Sequence, residues 1–329
     1  MPFATRIAGT GSFLPPDILT NAQLEKMVDT NDEWILERTG IANRHIAAKD
    51  KATSDLAYEA ALRAMEAAGI GPDKIDAIVV GTVTGDQLIP TVACMLQARL
   101  GCRSIMAMDV SAACSGFVYG ACVADQFIRS GMYENILVIG AETLSRLVDY
   151  EDRQTCILFG DGAGAAVLTR APEGSSSRIL SSHLGANGVF GDTLTVTGGG
   201  SRIPFSQEML DKKLQFIQMK GREVFKSAVR ALCDRSQEAL QANGLTVKDV
   251  DWFVVHQANI RIIEAVSQAL EIPAEKQLVN IRDTGNTSSA SIPILFDESV
   301  RSNKVKRGDL VLFAAFGAGL TSGSLIFRY

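Results

Sequence analysis

The sequence has little of what metal, disulfide or nucleic-acid chemistry requires. It contains three histidines, His45, His183 and His256, far apart and outside any metal-ligand spacing, so no metal is expected. The six cysteines, Cys94, Cys102, Cys114, Cys122, Cys156 and Cys233, include no CxxC pair and sit in mostly apolar surroundings. That usage reads as reduced, buried thiols of a cytoplasmic protein, with at most one of them reactive. No apolar run approaches the roughly 18 residues of a membrane span, and Met1-Pro2-Phe3-Ala4-Thr5-Arg6 carries no apolar signal core. With 32 Lys and Arg against 37 Asp and Glu the net charge is −5, and no basic block offers a nucleic-acid surface. Gly160-Asp161-Gly162-Ala163-Gly164 and Gly317-Ala318-Gly319 lack GxxxxGK[ST] spacing, and no GxGxxG lies between the first strand and helix. Both glycine runs precede apolar strands and read as places of close backbone approach.

What is present is an ordinary globular composition, 47% apolar and 21% charged over 329 residues. That length suits one large α/β domain or two fused halves of roughly 150–170 residues. Helical spacing over 55–68 ends at Gly69, and Ile75–Gly81 follows as an apolar strand. A helix over about 91–99, a strand over 105–110, a helix from about 114 to 130 and a strand over 136–140 continue the alternation. Short apolar strands between helices predict a parallel sheet covered by helices. The second half repeats the order: Ala68–Val80 aligns without a gap on Asn243–Val255, at an offset of 175 residues. Ile128–Ile139 likewise resembles Val300–Phe313, and two such pairs in one order predict an internal duplication. The Pro/Gly/Ser run at 171–177 marks the expected boundary, giving halves of 1–172 and 173–329.

Three positions carry candidate chemistry. Cys114 follows a strand and a run of small residues at the start of a helix, where the helix end favours a thiolate; the alternative is a buried structural cysteine. His256 aligns with Gly81 at a strand's C-terminal edge, the usual place for chemistry in α/β folds; a simply hydrogen-bonded histidine fits as well. Asn286 lies in Gly285-Asn286-Thr287-Ser288-Ser289, which reads as a turn with a helix cap or as an amide donor beside His256.

Taken together, Asn31–Ile35, Arg38–Ile41, Asp109–Phe117, Leu158–Gly164, His256–Asn259, Gly285–Ser288 and Phe316–Thr321 make the chain resemble the β-ketoacyl-acyl-carrier-protein synthase III family over nearly its whole length. The resemblance implies an α/β, thiolase-like five-layered αβαβα fold of two duplicated halves. It also implies a homodimer that starts type II fatty-acid synthesis, with no permanently bound cofactor. Cys114 then matches the nucleophile, His256 and Asn286 the pair that stabilises the enolate, and the backbone N–H groups of Cys114 and Ala318 the oxyanion hole. Trp34, Arg38, Arg153 and Asn259 match positions that hold coenzyme A. Ile89, Phe159 and Phe316 match positions shaping the acyl pocket, Ile89 from the partner subunit. Arg261 matches an acyl-carrier-protein docking position that Lys220 and Lys226 extend. The implied substrates are an acyl-coenzyme A primer and malonyl-acyl-carrier protein. A related condensing enzyme of secondary metabolism, using another primer or malonyl-derived acceptor, would keep the same trio. Two departures stand out: Ala318 where the family commonly has glycine, and Ser322 where it commonly has tryptophan.

Overall fold

In the computed structural model, which describes residues 3–329, the apolar runs of the first half become the strands of one sheet. Met1 and Pro2, at the head of the N-terminal segment considered above, lie outside the described residues. The strands are β1 (Thr5–Phe13), β2 (Ala77–Gly81), β3 (Met106–Val110), β4 (Asn135–Thr143) and β5 (Asp161–Arg170), ordered β1-β5-β4-β2-β3. β2 is parallel to β3 and β4, while β5 is antiparallel to β1 and β4. The second half supplies β6 (Arg178–Ala186), β7 (Trp252–Val255), β8 (Leu310–Gly317) and β9 (Thr321–Arg328), ordered β6-β9-β8-β7. β7 and β8 are parallel and the remaining pairs antiparallel. A lone parallel bridge from Phe253 to Gln277 stands at the edge where the first sheet has β3. The two sheets therefore share one strand order.

The helices that matter below are α1 (Asp32–Thr39), α2 (Thr53–Ala68), α3 (Val92–Arg99), α4 (Gly116–Ser130), α5 (Gly221–Ala242), α6 (Ile260–Leu270) and α7 (Ser291–Arg301). Side chains alternate across a strand, so one apolar run can serve two layers. Ile78 and Val80 of β2 pack outward on Leu56, Ala60 and Ala64 of α2 and Leu96 of α3. Ala77 and Val79 face inward, where Phe117, Ala121 and Ile128 of α4 and Ile292 and Phe296 of α7 form a central layer. That layer also meets Val254, Phe313 and Phe327 of the second sheet. Leu232 and Leu240 of α5 with Ile262 and Val266 of α6 cover the second sheet's far face at Phe253, Val255 and Leu312. The result is five layers, αβαβα. Phe296 anchors the centre, edge-on to Phe313, Phe327 and Tyr329 at centroid distances of 5.1, 5.5 and 5.1 Å. Truncating so buried a ring costs about 3–5 kcal/mol.

Three local expectations are corrected. The helix expected from about residue 114 is a tight turn, Ala113–Ser115, followed by α4. The run Gly160–Gly164 lies mostly inside β5, where a Cβ on Gly164 would meet Ile294 N of α7 at 2.6 Å. Cys94 is exposed, while Cys102 and Cys156 are buried and the other three intermediate.

Candidate active site

Two matching turns bring the reactive groups together. Ala113–Ser115 precedes α4, and Ser288–Ala290 precedes α7. Each opens in the left-handed region, Ala113 at φ 46° and Ser288 at φ 51°, a conformation that a residue with a Cβ keeps only where its surroundings over-determine it. Cys114 sits in the first turn, Asn286 leads into the second, and His256 emerges from the end of β7. All three line one cavity of about 640 Å³, with Phe159, Phe316 and Gly317.

Hydrogen bonds decide which atoms face that cavity. His256 Nδ1 lies 2.7 Å from Ser291 Oγ, which accepts the Gln257 N–H at 3.4 Å. The arrangement accommodates the Nε2–H tautomer, with the Ser291 hydroxyl donating to Nδ1. Asn286 Oδ1 accepts from Ser288 N–H at 2.9 Å, so the amide NH2 is its free end. Burial pushes the His256 pKa down to about 3, leaving the ring neutral at ordinary pH. In the Nε2–H tautomer the site offers two neutral N–H donors.

Cys114 keeps part of its surface open to the cavity, but loss of water pushes its thiol up to about 12. Ser288 nearby opposes the rise, and the charge of Glu142 adds to it. The thiolate expected from the start of α4 thus meets an opposing effect, since desolvation favours the neutral thiol.

The end of β8 closes on the same turn. A Cβ on Gly317 would stand 2.7 Å from Cys114 N and 3.0 Å from Ala112 O, so only glycine fits. This approach brings the Ala318 segment beside Cys114. Ala318 itself carries no positive φ; the left-handed demand falls on Gly319 at φ 123°. The methyl departure is thereby accommodated. Ser322 is buried on β9, bonded to Gly185 O at 3.4 Å beside the Tyr119 hydroxyl on the same carbonyl, and lines neither of the two cavities described here.

Cys114 and Phe159 also line a second cavity of about 680 Å³, with Ala113, Ser288, Ala318, Leu144, Leu147 and Ile217 among its walls. Leu88 borders it, whereas Ile89 is 84% exposed and lines neither cavity of its own chain. Trp34, Arg38, Arg153, Asn259 and Arg261 border the first cavity. The Arg38 and Arg153 guanidinium carbons stand 4.7 and 4.9 Å from the Trp34 ring centroid. Asn259 caps α6, accepting from Arg261 N–H at 2.9 Å and donating to Arg38 O at 3.1 Å. Arg261 pairs with Glu37 at 3.3 Å and Lys220 with Asp192 at 2.6 Å, while Lys226 is exposed and borders neither cavity. Sequence reasoning missed Arg222 and Phe225, one helical step apart at the start of α5 and both on the first cavity. It also missed the supporting Ser288, Ser291 and Glu142.

Among the described residues, no three His, Cys, Asp or Glu side chains gather as a metal site, and no helix is long and apolar enough to cross a membrane. Residues 108–188 match the family model described as 3-oxoacyl-[acyl-carrier-protein (ACP)] synthase III, and residues 240–329 match its C-terminal model. The β-ketoacyl-[acyl-carrier-protein] synthase III of Xanthomonas campestris pv. campestris is 54% identical over 325 residues, covering 99% of this chain and 98% of that one. The protein of the same description from Caldanaerobacter subterraneus subsp. tengcongensis is 51% identical over 326 residues, with the same coverage. The crystal structure of 3-oxoacyl-[acyl-carrier-protein] synthase III from Aquifex aeolicus superposes with a TM-score of 0.92 at 46% identity, covering 99% of this chain and 100% of that one.

Proposed function

Because the chain belongs to the 3-oxoacyl-[acyl-carrier-protein] synthase III family, we propose that it joins an acyl-coenzyme A primer to malonyl-acyl-carrier protein through an acyl-Cys114 intermediate. The observation that carries the assignment of residues is the one cavity lined by Cys114, His256 and Asn286. Cys114 sulfur attacks the primer thioester, and the amides of Cys114 and Ala318 receive the negative charge that develops on the carbonyl oxygen. Coenzyme A leaves as the thiolate. The malonyl unit then loses carbon dioxide; the electron pair of the broken C–C bond remains as a thioester enolate, to which His256 Nε2–H and the Asn286 amide donate. Its carbon attacks acyl-Cys114, a C–C bond forms, and the sulfur departs. Decarboxylation itself generates the carbon nucleophile, so neutral donors suffice and no strong base is required.

We assign coenzyme A to the Trp34, Arg38, Arg153 and Asn259 side of the cavity. A base held between Trp34 and Arg153 needs two contact layers of about 3.5 Å each, so Arg153 must swing outward from its present 4.9 Å stack. Phe159 and Phe316 border the acyl group. Leu88 and Ile89, more than four-fifths exposed in a single chain, support a homodimer in which Ile89 reaches the partner's pocket. Arg261, Lys220 and Lys226 are the docking positions for the acidic carrier protein; such surface charges act jointly and weaken with salt. Six free cysteines suit a reducing, cytoplasmic setting.

The test separates the half-reactions across a panel of straight and branched acyl-coenzyme A primers. Intact mass should show an acyl addition on the parent and none on Cys114→Ala, and malonyl-acyl-carrier protein should then yield 3-oxoacyl-acyl-carrier protein. Acylation without that product for every primer would move the protein to a specialised condensation with another acceptor.

A further inference from the structure

Arg44 is fully buried, a rare setting for a guanidinium. It stands on the short strand Asn43–Ile46, which pairs with Asp17–Thr20. Every hydrogen bond it makes ends on a neutral oxygen, and no carboxylate pairs with it among the described residues. Nε and Nη2 both donate to Ile157 O, at 3.0 and 2.5 Å. Nη1 donates to Asn21 Oδ1 at 2.5 Å and to Ala42 O at 3.3 Å. Burial lowers the pKa to about 10, which still leaves the group charged at neutral pH. A buried cation without an opposite charge costs far more than an apolar side chain of similar size. Packing alone does not call for one here.

What Arg44 holds is the strip of chain that carries Asn286. Ile157 closes the short helix Arg153–Cys156, where a carbonyl lacks a partner further along the helix. The next residues, Leu158-Phe159-Gly160, form a lone parallel bridge with Asn286. Asn286 N–H donates to Leu158 O at 2.9 Å, and Gly160 N–H donates to Asn286 O at 3.0 Å. The stem of Arg44 reaches the same place from the other side. A Cβ on Gly285, at φ 67°, would stand 3.1 Å from Arg44 Cγ and 3.1 Å from Leu158 O. Two backbone bonds outside any larger sheet are a weak hold on a reacting amide. The fork on Ile157 O fixes the strip to which they are made.

We propose that Arg44 is a positioning residue for the condensation: clamping Ile157 O and packing on Gly285, it sets where the Asn286 amide stands beside the malonyl unit. This inference rests on the role given to Asn286 in the reading above. A charged donor bonds a carbonyl more strongly than a neutral one, and the planar guanidinium aims two N–H groups at a single oxygen. Lysine keeps the charge but has no such fork. None of these hydrogen bonds ends on Cys114 or its turn, so primer transfer should be spared.

The two half-reactions, acylation by acetyl-coenzyme A and decarboxylation of malonyl-acyl-carrier protein by the acylated enzyme, test this on the full chain. They are timed separately in the parent, Arg44→Lys, Asn286→Ala and the double variant. Arg44→Lys should decarboxylate about 10-fold more slowly at saturating malonyl-acyl-carrier protein, with KM and acylation within about twofold of the parent. In the Asn286→Ala background the same substitution should cost nothing further. A loss that repeats undiminished in that background, or one that acylation shares equally, overturns the proposal and leaves Arg44 a general support. A parent rate in Arg44→Lys overturns it as well. If Arg44→Lys does not fold, Arg44→Gln enters the same cycle and the same outcomes decide. An Asn286→Ala enzyme that itself decarboxylates at the parent rate would instead defeat the role of Asn286 on which the inference rests.

Discussion

In the first half, the end of β2 is Gly81, packed so tightly on α4 that a Cβ would stand 2.4 Å from the Gly116 carbonyl carbon. In the second half, 175 residues on, the same two places hold His256 and Ser291, which share a hydrogen bond of 2.7 Å. The turns correspond as well, Ala113–Ser115 with Ser288–Ala290, down to the left-handed first residue of each. At the ends of β4 and β8 the exchange runs the other way. Glu142 bonds to the second turn through its carboxylate, whereas its counterpart Gly317 presses bare backbone against the first. The duplicated frame thus supplies two facing copies of one junction. At each pair of positions one copy is stripped to glycine for close approach and the other carries a polar side chain. The catalytic asymmetry lies in that division, and it can be broken from either side.

The largest effect is expected from His256→Ala, which makes the second strand end resemble the first. Condensation should fall about 10³-fold with acylation of Cys114 much less affected, as rapid-quench assay of each half-reaction would show. Equal losses would mean that His256 also serves the first step. Gly317→Ala puts a methyl 2.7 Å from Cys114 N; acylation should drop about 100-fold, the size expected when an oxyanion donor is displaced. Unchanged acylation would show that β8 yields and that its approach does not set the nucleophile. Ser291→Ala removes the bond to His256 Nδ1, worth about 1 kcal/mol, and should slow malonyl decarboxylation by about 5- to 10-fold while primer transfer holds.

A separate contrast is stability against pH, where the two halves pull in opposite directions. His256 falls from an unfolded 6.5 to about 3, so the unfolded chain binds the extra proton and stability declines as pH drops below 6.5. Glu142 rises from 4.5 to about 6, so its contribution is full below 4.5 and is lost as pH climbs through 6. Urea midpoints of His256→Ala should therefore lose less on acidification than the parent's. The unfolding free energy of Glu142→Gln should fall less than the parent's on raising pH from 4.5 to 6, by about 2 kcal/mol. Curves parallel to the parent in both variants would remove the electrostatic contrast between the halves.

Much of this frame was legible in the residues. Ile75–Gly81 and Ile136–Gly140 read as strands because both their faces are buried, which leaves a continuous apolar run. The trio of Cys114, His256 and Asn286 was visible because each stands in a short local pattern. Ser291 and Glu142 were not: a serine opening a helix and an acid ending an apolar strand look like surface punctuation until the opposite turn is brought against them. The pull of burial toward the neutral thiol was hidden for a related reason, since a helix end is visible in sequence and the depth of burial is not. The second cavity also escaped notice, because its walls come from segments as distant as Thr53, Val83, Leu144 and Ile217 with no shared periodicity.

The position of Cys114 on both cavities makes the sulfur a watershed instead of the bottom of a well. Cargo anchored there can lie down the far slope while the approach by which it arrived is vacated for the next visitor, so neither need back out past the other. Small molecules designed to straddle the divide would block both approaches at once, whereas those confined to one slope would compete with a single partner only.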